Sequence, residues 1–449
     1  MFVSVPKAAG PLVARLSIPF TTPTFQRFVV LLLGAILSMR RRTVTSTLRT
    51  VKALASGHWS DYHRVLCRAA WSAWPLGKVL AAMVLELIPA DQPVICLVDD
   101  TNPQHRGKHV YGKSRHHDAC RSTHNHTVWV WGHKWVTLAI NVKFPFASRP
   151  WALPVLCALY RSAELNKAEG HRHRTPTELA VQLMAVLIHW FPDRKFILVG
   201  DGGYSSHKLA RFCWRHRRHV TLVSRFHPKA NLYLPPKQPT AKKTGRPRIK
   251  GRRLPKPQSV VERSKPTRAT VSWYGGESRR VELIGGGGHW YKATQGLVPV
   301  RWVFVHDVQG THRDEYFYCT DPDMRPEQIV SLYTARWSIE VTFQEVRAHL
   351  GFTTVRNWCR QSVLRTAPCL LGLFSVVCLI FERHTRGKPP KIAQSPWYDK
   401  TEATFSDAIA EVRRLCWQEV FEQPPFHAGM RKLPRQLRIT LLDHLSLAA

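Results

Sequence analysis

Apolar positions recur with a helical period through residues 25–90. FVVLLLGAIL at 28–37 is a solid apolar run, TVTSTLRTVKAL at 43–54 opens on threonines suited to capping, and HRVLCRAAWSAW at 63–74 alternates basic and apolar faces. Two roles suit this helical block: a small nucleic-acid-binding module, or a cap packed on the core. The pattern then changes to β-rich, with strands at PVICLVDDT (93–101) and within HTVWVWGHKWVTLAINVKF (126–144). A helix is predicted over 176–190, a second apolar strand at KFILVGD (195–201), and a helix from about 206 to 217. Strand, strands, helix, strand, helix, with carboxylates at strand ends, is the order of an α/β core.

Residues 225–268 carry fourteen Lys or Arg against the single Glu262, with many prolines, a composition that cannot fold alone. Short strands follow at RATVSWYG (268–275), RRVELIG (279–285), VRWVFVHD (300–307) and EYFYCTD (315–321), and they predict an inserted β domain. A strong helix is expected from Pro326 to about Leu350 and an apolar one over about 363–381. The resulting division is 1–90 helical, 91–224 first part of the core, 225–324 basic linker and β insertion, 325–385 second part of the core, and 386–449 helical.

Length and charge sharpen this picture. A chain of 449 residues exceeds one ordinary compact domain. Its 66 Lys and Arg against 30 Asp and Glu give a net charge of +36, more than solubility needs, which points to a polyanionic partner. The cations are spread along the chain rather than gathered on one amphipathic helix, so nucleic acid is favoured over a membrane surface. The run at 28–37 is about half a bilayer span, and Arg40, Arg41 and Arg42 follow it where a signal-peptide cleavage site would need small residues. A cytoplasmic protein is expected. Its ten cysteines form no C-x-x-C pair, against both a zinc ribbon and a disulfide framework.

Asp99 and Asp100 end an otherwise buried strand, and Asp201 repeats that situation before Gly202 and Gly203. Each alone would serve as a turn or cap residue; on one sheet they could converge on a metal. In YTARWSIEVTFQEVRAHLG (333–351), Tyr333, Arg336, Glu340 and Arg347 fall within roughly 60° of one another on a helix. Ile339, Phe343, Val346 and Leu350 form a separate apolar stripe that would seat the helix, leaving the polar stripe facing a cleft. Glu345 points elsewhere.

Tyr-x2-Arg-x3-Glu-x6-Lys/Arg resembles the signature of IS4-type insertion-sequence DDE transposases. The strings DDT, VGDGGY and RWSIEVTFQEVRAHLG resemble their IS701-related branch, over about residues 40–415. Arg347 stands where Lys is usual, which keeps the charge. The resemblance implies an α/β, RNase H-like catalytic core with a β-rich insertion between the second Asp and the Glu, and helical N- and C-terminal regions. It implies that Asp99 (or Asp100, since relatives read D-x-T or D-T), Asp201 and Glu340 ligate two Mg²⁺ or Mn²⁺ ions, to which hard carboxylates are suited. Water would cut at the transposon end and the freed 3′-hydroxyl would attack target DNA. Tyr333, Arg336 and Arg347 would grip phosphates, with Trp337 either holding a displaced base or packing in the core. The protein would act as a homodimer on DNA, in the bacterial cytoplasm with the nucleoid.

Three further features bear on DNA. The histidines from His105 to His133 match no zinc-finger spacing and are read as loop residues near DNA. Arg106 and Lys108 in HRGKHVYGK are candidate strand contacts. GRPR at 245–248, with Arg246 and Arg248, resembles a minor-groove hook, the alternative being a solvated basic linker. A nuclease that cuts without joining, or an idle DNA-binding derivative of a transposase, would share most of these residues.

Overall fold

The computed structural model describes residues 5–39, 41–118, 121–123, 125–236, 248–394, 397, 399–423 and 426–447. Its strands are β1 (Val94–Thr101), β2 (Ser114–His117), β3 (Trp129–Gly132), β4 (Lys134–Val142), β5 (Trp151–Tyr160), β6 (Phe196–Gly200), β7 (Val220–Arg225), β8 (Leu232–Tyr233), β9 (Thr267–Ser272), β10 (Ser278–Lys292), β11 (Gly296–Asp307) and β12 (Glu315–Cys319). Ten of them form one sheet in the order β5-β4-β1-β6-β7-β12-β11-β10-β8, with β9 also on β10; β2 and β3 make a separate hairpin. Strands β1, β6 and β7 run parallel, and β4 is antiparallel to both β1 and β5.

The parallel centre follows from sequence. Val94, Cys96, Leu97 and Val98 in β1 and Leu198 and Val199 in β6 are fully buried, as strands covered on both faces must be. Helices cover the sheet in two groups, Pro176–Trp190 with His207–Arg215, and Pro326–Ala335, Trp337–His349 and Arg360–Thr385. Helix Pro176–Trp190 begins where its code predicts: Thr175 and Glu178 form a reciprocal capping box and Pro176 sits in the first turn.

The strands expected as an inserted β domain are all present but do not form a sheet of their own. Strand β12 hydrogen-bonds to β7, with Cys319 opposite Val223, so they extend the core sheet. The N-terminal helices Thr22–Leu37, Trp59–Cys67 and Ala73–Leu85 likewise pack into the same body, against Arg360–Thr385 and Phe405–Phe421. Buried Arg413 donates to Ile36 O at 2.8 Å. Arg365 donates to four carbonyls around the end of Trp59–Cys67, those of Val65, Leu66, Ala69 and Trp71, at 2.6–3.3 Å. Helix Arg360–Thr385 is long and apolar enough to cross a membrane, and 78% of its apolar window is buried inside the fold.

The helix expected from 326 to 350 is broken at Arg336, which closes Pro326–Ala335 and opens Trp337–His349. Arg336 N donates to Tyr333 O and Ile339 N to Arg336 O, three-residue bonds that tighten the helix there while Arg336 keeps helical dihedrals.

Candidate active site

Strands β1 and β6 end side by side. Val98 pairs with Gly200, so one step further Asp99 stands opposite Asp201. A Cβ at Gly200 would meet Tyr204 Cβ at 2.8 Å and Val98 Cγ1 at 3.1 Å, so glycine is what lets β6 turn sharply into Asp201. Asp201 caps the turn Gly202–Tyr204: its Oδ1 accepts from Gly203 N at 2.9 Å and Tyr204 N at 3.3 Å. Ser224 Oγ, on β7, donates to Asp201 O at 2.9 Å and fixes the strand end from the other side.

Asp99 Oδ1 accepts from Asp100 N at 2.7 Å, and its Oδ2 faces Arg336 Nη1 at 2.8 Å. The other guanidinium nitrogen, Nη2, reaches Glu340 Oε1 at 2.7 Å, so Arg336 bridges the two carboxylates. Burial pushes the Asp99 carboxyl up to about 7; Arg336 opposes this, and the charges of Asp201 and Asp100 reinforce it. Burial by itself would depress the Arg336 guanidinium, yet the charges of Asp99 and Glu340 outweigh it and hold it above its ordinary value. Arg336 Nε is buried without a partner.

Successive strand residues face opposite sides, and the neighbours of Asp99 and Asp100 diverge accordingly. Asp100 pairs with Lys134 at 3.2 Å and accepts from the buried Tyr204 hydroxyl at 3.4 Å. Thr101, on the side of Asp99, accepts from Arg347 Nη1 at 2.9 Å. Arg336, Glu340 and Arg347 thus line up along the ends of β1, while Ile339, Phe343, Val346 and Leu350 are buried beneath them. Glu345 turns away and pairs with His349 at 3.2 Å.

Not every expected residue joins them. Tyr333 lies on the preceding helix, buried and stacked on Phe317 with ring centroids 4.1 Å apart, and the Arg336 guanidinium lies 5.7 Å from its ring centroid, so it backs Arg336 from within the core. Trp337 is exposed, with the Arg149 guanidinium 5.9 Å from its ring centroid, so it is not a core tryptophan. Arg106 and Lys108 are exposed on the segment after β1. Arg248 is exposed, and Arg246 lies outside the described residues. His116 and His133 are not surface loop residues: both are buried, hydrogen-bonded to Ser114 Oγ and Tyr111 O, and burial lowers each to about 4.

Among the described residues no three His, Cys, Asp or Glu side chains form a ready-made metal cluster. Asp99, Asp201 and Glu340 nonetheless supply the hard oxygen donors that a Mg²⁺-type ion takes, and the cationic place between Asp99 and Glu340 is held by Arg336.

Among solved structures the chain is similar to the piggyBac transposase in a synaptic complex with hairpin DNA, determined by cryo-EM. The TM-score is 0.42 at 10% identity, over 97% of this chain and 80% of that one. No curated protein matches the chain. A family model described as DDE superfamily endonuclease matches residues 15–280, which takes in Asp99 and Asp201 and stops short of Glu340. With more than half of its length covered by that match, the chain belongs to the DDE superfamily endonucleases.

Proposed function

We propose that the protein is a DDE transposase of the IS4 type, IS701-related branch, which cuts transposon ends and joins them to target DNA. The observation that carries the reading is the register of β1 and β6, with Asp99 opposite Asp201 and Glu340 tied to Asp99 through Arg336. The order β5-β4-β1-β6-β7, with only β4 antiparallel to the rest, supports an RNase H-like core. On this reading Asp99 rather than Asp100 is the first carboxylate, since Asp100 is engaged by Lys134 and Tyr204.

Asp99, Asp201 and Glu340 would hold two Mg²⁺ or Mn²⁺ ions. Bound there, such ions activate the attacking oxygen and neutralise the leaving one. The residues' own parts follow from their contacts. Asp99 gives up a proton that it holds near neutrality, and Arg336 leaves the carboxylates for a DNA phosphate, for which its unpartnered Nε is a further donor. Arg347, exposed beside Thr101, holds a second phosphate. Two protomers on two DNA ends, in the bacterial cytoplasm, complete the proposal.

The test is cleavage of a duplex bearing the element's terminal repeat, with Mg²⁺ or with EDTA. Asp201→Asn and Glu340→Gln should abolish cutting while binding in EDTA persists. Joined products with a target plasmid mark a transposase; cutting without joining reduces the reading to an endonuclease. Near wild-type cutting by either variant removes that residue from the site.

A further inference from the structure

The β2–β3 hairpin follows the first strand-end carboxylates and plays no part in the chemistry above. Its outer face is unusual. Trp129 and Trp131 alternate with buried Val130 and Gly132, and they are 49% and 58% exposed. Arg115 stands opposite Trp131 and His117 opposite Trp129, so the two indoles share this face with a cation and an imidazole. The Arg115 guanidinium lies 4.9 Å from the Trp129 ring centroid and Lys113 Nζ 5.5 Å from that of Trp131. Two neighbouring exposed indoles are a costly surface unless something covers them.

A groove of about 790 Å³ runs along them, lined also by Arg106, Lys108, Lys113 and Arg121, with no carboxylate among its described lining residues, although Arg121 pairs with Asp118 at 3.6 Å just outside it. The groove is fastened to the carboxylate strand. Gln104 bridges to Gly132, His105 N donates to Trp131 O at 3.0 Å, and His133 N donates to Pro103 O at 3.0 Å. A Cβ at Gly132 would meet Pro103 O at 2.2 Å, so this close approach requires the glycine. Lys134, which opens β4 and pairs with Asp100, is only three residues beyond Trp131, so at most roughly 10 Å of chain separates them.

We propose that this face binds unpaired nucleotides of a DNA strand beside the cut, the bases stacking on Trp129 and Trp131 and the phosphates lying on the flanking cations. Cations alone would serve a duplex. Exposed indoles need a free base face, which a stacked and paired duplex does not offer. The inference rests on the endonuclease reading for its ligand, and on the hairpin alone for its location.

The experiment uses the full chain in EDTA and compares a blunt duplex with the same duplex carrying a short single-stranded extension, by fluorescence anisotropy. The wild type should prefer the extended duplex by about tenfold, since a base on an aromatic platform is worth roughly five- to a hundredfold in affinity. Trp129→Ala with Trp131→Ala should abolish that preference and leave blunt-duplex affinity within about twofold, and the paired Phe variants should restore most of it. Equal loss on both duplexes, or a wild type and double variant that bind the extended duplex alike, overturns the proposal. If the wild type binds neither DNA, the endonuclease reading has failed; if it binds both duplexes without preferring the extension, and still cuts the blunt duplex when Mg²⁺ replaces EDTA, only the hairpin's role has.

Discussion

Replacing Asp99 by Asn should make the metal-free protein more stable, and increasingly so as pH rises. Asn has the shape of a protonated Asp, so the variant behaves as a native state in which that carboxyl never ionises. In the wild type, burial raises the carboxyl from an ordinary 3.8 to about 7. The native state therefore keeps a proton that the unfolded chain has already released. Linkage fixes the sign: wild-type stability relative to the variant falls as pH rises from about 4 to about 7 and is flat above that. Between about pH 5.5 and about pH 8.5 the fall covers the roughly 1.5 pH units below the folded value, and at ~1.36 kcal/mol each this is about 2 kcal/mol. Urea unfolding in EDTA at the two pH values measures it. Millimolar Mg²⁺ at the higher pH should close much of the gap by stabilising the wild type alone. A gap that stays constant with pH, or one that narrows on the alkaline side, would refute the account of Asp99 as a desolvated charge.

Two other perturbations probe different parts of the molecule. Arg347→Lys should lose less than about tenfold in cleavage rate and Arg347→Ala about a hundredfold, because a phosphate contact needs the charge more than the fork; single-turnover rates that coincide would place Arg347 outside the site. Arg365→Leu should cost about 3–5 kcal/mol in urea unfolding, since it strips the charged donor from four carbonyls at residues 65–71; a loss under about 1 kcal/mol would show that these carbonyls find other partners.

The sequence made the α/β order and the helix at 176–190 legible because their signals are local: a capping box, a proline in the first turn, uninterrupted apolar strands. Strand β5 was missed. Its WALPVLCALY has no alternation and contains Pro154, tolerated where the register with β4 shifts at Leu138 and Ala139. The break at Arg336 carries no glycine or proline to announce it, so a single helix was expected; Tyr333 does lie against Arg336, but from the buried side. The stripe of Arg336, Glu340 and Arg347 was readable from helical spacing. That Arg336 would lie against Asp99, 237 residues earlier, was not, because only the folded sheet brings them together. The exposed indoles of β3 were hidden for a related reason: alternation marks two faces without saying which one is covered.

The pairing of β12 with β7 has a mechanical consequence. Strands β10 and β11 form a long antiparallel ribbon, and β10 with 15 residues spans roughly 50 Å. Its link to the parallel strands is rigid: Leu222 N donates to Thr320 Oγ1 at 2.9 Å, Thr320 N returns to Leu222 O at 3.0 Å, and Ser224 ties β7 to the Asp201 turn. The ribbon is hydrogen-bonded to the catalytic strands where it meets them, so it is placed to act as a lever on them. A load at its far end, such as bent DNA pulling on it, would pass through β12 and β7 towards Asp201, with Ser224 as the last coupling.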